Sequence, residues 1–267
     1  MVNQKWTYHS TLTSVRDFSV AITMKDGVYI FGGWSNPLTS DFLPNGSKNW
    51  VKGPEIPKDL KYNCGEYDEF CVIAGQKISN EDVVLVGLGQ HHEIAAKYNI
   101  NTKKWERTTL QIPRHGHSCN YLNGKIIISG GYAWKPIPGQ QCQFPQMYFV
   151  DTEIICPNTW MSRRVDDSTF NEDFQCGGRP LRSGWTRATH GSALMTIGNR
   201  IRLIAFGGSI IDTDTRSGIS NYGTKLFLDS CKLWDEETEK WVDSDLKLSQ
   251  GRKEIRYLSI PYLERNK

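Results

Sequence analysis

Long apolar runs are missing from this 267-residue chain. No stretch approaches the roughly 18 residues of a helical membrane span, so membrane insertion is not expected. Concentrated runs of lysine or arginine are missing too. The formal net charge is only +3, which gives a nucleic-acid or membrane-surface role no electrostatic support. The seven cysteines (Cys64, Cys71, Cys119, Cys142, Cys156, Cys176 and Cys231) contain no Cys-x2-Cys pair, so zinc spacing is absent. Their odd number leaves at least one thiol unpaired within the chain. There is no Gly-x-Ser-x-Gly elbow, phosphate loop or His-Glu-x-x-His helix. No catalytic residue, metal site or cofactor is therefore expected. Met1 to Trp6 hold no apolar signal core. Because a leader is removable, this leaves the compartment open.

What is abundant is glycine, with 24 copies, and tryptophan, with 9. The chain is 38% hydrophobic and 23% charged, the balance of a folded soluble domain. Four short apolar runs end in glycine: Val28 to Gly33, Val83 to Gly89, Ile126 to Gly131 and Leu203 to Gly208. Each is too short for a helix and rich in β-branched or aromatic residues, so each reads as a buried strand. A tryptophan follows each run. Gly33 to Trp50 and Leu88 to Trp105 both span 17 residues, while Gly131 to Trp160 spans 29 and Gly208 to Trp241 spans 33. Turn chemistry precedes Trp105 and Trp241, and a shorter turn, Cys156 to Thr159, precedes Trp160. An arginine comes before three of the runs, at Arg16, Arg114 and Arg187.

The unit is thus arginine, strand, tight turn, strand, double glycine, loop, strand, turn and tryptophan. With RHGHSCNYLNGKIIISGG followed by NTW, and RATHGSALMTIGNRIRLIAFGG followed by ETEKW, it resembles the kelch repeat. That resemblance implies an all-β fold, a kelch-type β-propeller built from four-stranded blades. It covers nearly the whole chain as a single domain, 1–267. The blades are expected near 16–57, 62–113, 114–165 and 187–248. A fifth would be closed by 252–263 together with 3–12, hiding sheet edges; a piece of a longer propeller is the competing reading. The second unit departs from the pattern, with Gly87-Leu88-Gly89 in place of adjacent glycines and Glu66 near the arginine position.

Three long insertions stand out, at 133–146, 161–185 and 208–226. Long connections in compact domains are usually functional or disordered. Cys142, Cys156 and Cys176 lie in or beside two of them, where a disulfide is expected, whereas Cys119 and Cys231 fall in strands and read as buried thiols. One glycosylation sequon occurs, Asn45-Gly46-Ser47, which equally suits a plain turn.

In such a blade the strands alternate in direction, so the arginine and the double glycine share one face. This gathers Arg16, Arg114, Arg187 and Arg252 near one mouth, with Trp34, His91, His92, Tyr132 and Trp134 beside them. Arginine forks onto carboxylates and aromatics anchor interfaces, so the set suits a peptide or small polar ligand. The structural alternative is that each arginine pairs within or between blades. His190 aligns with His117, each three residues after its arginine, and a repeated place of this kind speaks for structure. The function expected is a non-catalytic binding module whose partner is a protein, a peptide or a small ligand, with no nucleic acid. The alternatives are a small propeller enzyme acting on a sugar or sialic acid in the channel, and a secreted ligand carrier. The sequon and loop cysteines favour an extracellular setting over a cytoplasmic one.

Overall fold

The computed structural model describes residues 8–33, 35–61, 73–133, 148–149, 152–165, 175–176, 179–180, 190–212 and 224–251. Its first sheet contains β1 (Val20–Met24), β2 (Gly27–Phe31), β3 (Ser40–Pro44) and β4 (Val51–Lys52). A single 3-10 turn, Lys58–Leu60, leads to the second sheet: β5 (Ala74–Lys77), β6 (Asp82–Leu88), β7 (Ile94–Asn99) and β8 (Lys104–Thr109). The third opens with β9 (Ser118–Leu122) and β10 (Lys125–Ser129). It is interrupted by a ribbon, β11 (Tyr132–Ala133) with β12 (Tyr148–Phe149), and then continues with β13 (Glu153–Cys156) and β14 (Met161–Arg164). A second ribbon pairs β15 (Gln175–Cys176) with β16 (Arg179–Pro180). The fourth sheet has β17 (Gly191–Ile197) and β18 (Arg200–Phe206). A third ribbon, β19 (Ser209–Asp212) with β20 (Thr224–Phe227), precedes its β21 (Ser230–Asp235) and β22 (Lys240–Lys247).

Each four-stranded sheet is antiparallel, with its strands paired in the order they occur in the chain. No α-helix occurs among the described residues. All four apolar runs are second strands. Those of the middle sheets are buried on both faces, which is why they read as unbroken apolar stretches instead of alternating ones. One face of β6 and β7, with Val83, Leu85, Ala96 and Tyr98, packs on Ile22, Met24, Tyr29 and Phe31 of the first sheet. The other face, with Val84, Val86 and Ala95, packs on Cys119, Ile126, Ile128 and Ile155 of the third. The third sheet's remaining face, with Leu122, Ile127 and Ile154, meets Leu203, Ala205, Trp234 and Trp241 of the fourth. Three apolar interfaces thus join four sheets in series.

The first strands are neighbours along this series: β1 lies beside β5, β5 beside β9 and β9 beside β17. Between β9 and β17, Ser118 Oγ is 3.0 Å from His190 Nε2, and Asn120 Nδ2 donates to Ser192 Oγ at 2.5 Å. Both contacts span 72 residues, so the two strands run in the same direction. Four sheets stand among the described residues, against five units expected. Residues 3–7 and 252–263 of the fifth lie outside the described residues, and 8–12 form no strand.

The tryptophans are not all equivalent. Trp105 pairs with Tyr98 across the β7–β8 ladder, and Trp241 pairs with Trp234 across β21–β22. Trp241 is buried, donates its indole N–H to Thr152 Oγ1 at 2.8 Å and lies edge-on to Trp234. Trp105 is half-buried and donates to the Glu55 carbonyl at 3.1 Å. Trp50 is half-buried and precedes β4. Trp160 departs from this place. It sits in the turn itself at φ 54°, matching Lys103 at 58° and Glu239 at 51°. The third sheet's turn is as long as the others, so Ser162 occupies the strand position that Trp105 and Trp241 fill. Trp241→Ala is therefore expected to cost about 3–5 kcal/mol, within the range for a buried aromatic. Trp160→Ala should cost much less; urea denaturation of the two variants checks the difference.

The turns themselves share a hydrogen-bond pattern. Asn99 Oδ1 accepts the N–H groups of Asn101 and Thr102, and Asp235 Oδ1 accepts those of Glu237 and Thr238. Cys156 takes the same place. Hydrogen bonds from the Thr159 N–H and hydroxyl, and from the Asn158 N–H, hold its exposed thiol below the usual cysteine range. Cys156 is a free thiol, so it lends no support to the disulfide expected among Cys142, Cys156 and Cys176. Cys142 lies outside the described residues and so does the Cys176 side chain. Cys119 and Cys231 are buried free thiols, and burial pushes Cys119 up to about 12.

Candidate functional site

The direction of the strands sorts every connection to one of two ends. The Arg16 guanidinium donates to the Gly32 carbonyl at 2.7 Å, so the approach to β1 and the exit from β2 share an end. At the opposite end, among the described residues, the connections are short turns, including 25–26, 78–81, 123–124, 198–199 and 236–239. Neighbouring sheets align in the same sense, because Lys25 Nζ reaches Glu81 at 3.0 Å and Asn123 Nδ2 reaches Glu236 at 2.7 Å. The bases of the ribbons β11–β12 and β19–β20, and the ends of the segment carrying β15–β16, lie at the arginine end. The expected long loops at 133–146 and 208–226 are therefore founded on paired strands. The insertion placed at 161–185 starts later, because Met161–Arg164 is β14.

At that end two arginines are locked into the sheets. Arg16 Nε donates to Asp41 Oδ2 at 2.7 Å, and its other nitrogens donate to the Gly32 and Thr39 carbonyls and to Thr39 Oγ1. Asp41 also accepts from Thr13 Oγ1. Arg114 repeats the device: it donates to Glu153 Oε2 at 2.8 Å and toward the Gly130 carbonyl, while Glu153 Oε1 accepts the Gln111 N–H at 2.6 Å. Side-chain exposure is 1% and 0% for the first pair and 0% for both members of the second. Buried charges persist only when paired and hydrogen-bonded, and both pairs meet that condition.

The two carboxylates were not legible as partners in the sequence. Asp41 stands opposite Ile30, and Glu153 opposite Ile128, each two residues before the first glycine of its pair. The register fixes that place, but the loop length before it varies. In the fourth sheet the same place, opposite Ala205, holds Lys232, whose ammonium turns to Asp243 at 2.9 Å. The second sheet, whose ladder slips between Val86 and Leu88, has no carboxylate in β7.

Beside Arg114 lies a seam of buried imidazoles between the second and third sheets. His92 is held at φ 60° and donates from Nδ1 to the Gly87 carbonyl at 2.9 Å. Its ring lies 3.7 Å, centroid to centroid, from that of His115. Burial, then the nearby His92 and His117, push His115 down to about 2. Burial, then the Arg114 charge, push His117 down to about 3. Such weak bases are poorly matched to proton transfer near neutrality. Nearby, Ser118 at the start of β9 and Ser129 at the end of β10 share the His190 imidazole, all three buried. Among the described residues no group of three or more His, Cys, Asp or Glu side chains is placed to hold a metal ion.

Five members of the expected ligand-facing set lie among the described residues. Arg16 and Arg114 are enclosed in their ion pairs, and His92 is buried. The arginines are enclosed because the third-strand carboxylates draw each guanidinium into its sheet. His91 is exposed at the expected end, with its N–H bound to Glu93 Oε2 at 2.8 Å. Tyr132 belongs to β11, at the base of a ribbon. Arg187, Arg252, Trp34, Trp134 and Glu66 lie outside the described residues. No family model matches the chain, and no curated protein matches it in sequence.

Proposed function

We propose that the chain is a kelch-type β-propeller of five blades, the last closed by the terminal strands, working as a non-catalytic binding module. Its partner is a protein or peptide, engaged by the connections at the arginine end, and its setting is extracellular. The observation that carries this reading is the asymmetry of the two ends. In the four described sheets one end holds short turns, while the ribbons and the long connections start from the other. A stiff scaffold lowers the ordering cost of the loops it presents, so such an end is suited to recognition. The buried Arg16–Asp41 and Arg114–Glu153 pairs contribute by fixing the roots of those loops.

Loop replacement tests the proposal. The full chain, used as bait against an extract of its native source, is compared with a variant in which 134–147 and 213–223 are replaced by short Gly-Ser turns. A second variant alters the opposite end at Asn123, Gly124, Gly198 and Asn199. The expected result is one partner captured by the parent, lost from the loop variant and kept by the turn variant. Retention of that partner by the loop variant would refute the assignment of the face.

A further inference from the structure

Asn45-Gly46-Ser47 occupies the turn between β3 and β4, at the short-turn end. It is the only Asn-x-Ser/Thr tripeptide in the chain with x other than proline. Asn45 and Gly46 are exposed. Gly46 adopts φ 75°, and a Cβ built on it would meet nothing within 4 Å, so the space around the tip is open. The Asn45 backbone N–H donates to the Asp26 carbonyl at 2.9 Å, and Nδ2 donates to the Lys25 carbonyl at 2.8 Å. An N-glycosylated asparagine keeps one amide hydrogen, which suffices for the Lys25 bond. The fold therefore accommodates substitution at Nδ2 without giving up a contact. The site also lies at the end opposite the ribbons and long connections, so a glycan there leaves the proposed binding end uncovered.

We infer that Asn45 is an N-glycan acceptor. The donor class is a lipid-linked diphosphate oligosaccharide, used by a transferase acting in trans on the exported chain. A bond forms between Asn45 Nδ2 and the anomeric carbon of the first sugar. The bond from that carbon to the diphosphate breaks, the lipid diphosphate leaves, and one amide proton is released. Ser47 completes the acceptor tripeptide. The inference rests on the export proposed above and is independent of the binding reading.

The test is intact mass and peptide mapping of the full chain before and after peptide-N-glycosidase. It is carried out on protein from its native source and on protein from a secretory eukaryotic host. The expected result in both is one oligosaccharide on Asn45, removed by the enzyme with conversion of the asparagine to aspartate. Asn45→Gln and Ser47→Ala should each abolish it. An unmodified Asn45 from the secretory host would overturn the acceptor itself. Modification in that host with none on the native protein would overturn the inference through its premise of export.

Discussion

Glu153→Gln is expected to destabilise the protein by about 3–5 kcal/mol, the range for breaking a buried ion pair from one side. The substitution leaves the Arg114 charge in a site with no exposure, its 2.8 Å carboxylate partner reduced to a neutral amide. Arg114→Met should be comparably severe, because it strands the Glu153 carboxylate with only the Gln111 N–H. The double variant Arg114→Met, Glu153→Leu should lose far less than the sum, since it removes both charges together. Denaturation in urea, with unchanged slopes, reads all three. A loss under about 1 kcal/mol for Glu153→Gln, the range of exposed pairs, would contradict the buried geometry. The exposed Lys25–Glu81 pair offers the contrast, because its partners are 44% and 46% exposed and substitution there should be nearly silent.

The second large effect is acid destabilisation centred on the imidazole seam. His115 and His117 are held neutral, with proton affinities lowered from about 6.5 to about 2 and about 3. Unfolding releases both to ordinary values, so the unfolded chain binds more protons below pH 6.5. Their contribution is fully present above that pH and is lost progressively as pH falls toward 3. Each imidazole adds a slope of about 1.4 kcal/mol per pH unit within that window. Stability measured between pH 7 and pH 4 should therefore fall steeply. His115→Asn or His117→Gln, although less stable at pH 7, should show a shallower fall. Parallel curves for parent and variants would show that the seam takes up no protons on unfolding.

The middle sheets were legible because their second strands are sandwiched between neighbours. Burial on both faces demands apolar residues at every position, as in Val83 to Val86 and Ile126 to Ile128, and glycines end such runs. Pairing of the arginines within their sheets was legible as an alternative, but the carboxylates they meet were not. Arg16 and Asp41 are 25 residues apart, whereas Arg114 and Glu153 are 39 apart, so spacing hides a partnership that register makes obvious. The misplacement of Trp160 has a similar origin. Its turn starts with Cys156, a sulfur acceptor in the place of Asn99 or Asp235, so the turn reads as shorter than it is. Trp160 then extends over Lys97, whose ammonium lies 5.4 Å from the ring centroid. Ribbon pairing in the insertions left no alternating pattern to read.

Everything functional depends on neighbouring sheets being aligned end for end. Pulsed electron–electron resonance on two spin-label pairs measures this directly. Labels at Asn123 and Glu236, whose side chains are 2.7 Å apart at the short-turn end, should fall at the short limit of the method. Labels at His91 and Asn123, at opposite ends of adjacent sheets, should be separated by at least a five-residue strand, roughly 17 Å. A long separation for the first pair, or a short one for the second, would contradict the alignment and with it the single loop-bearing face.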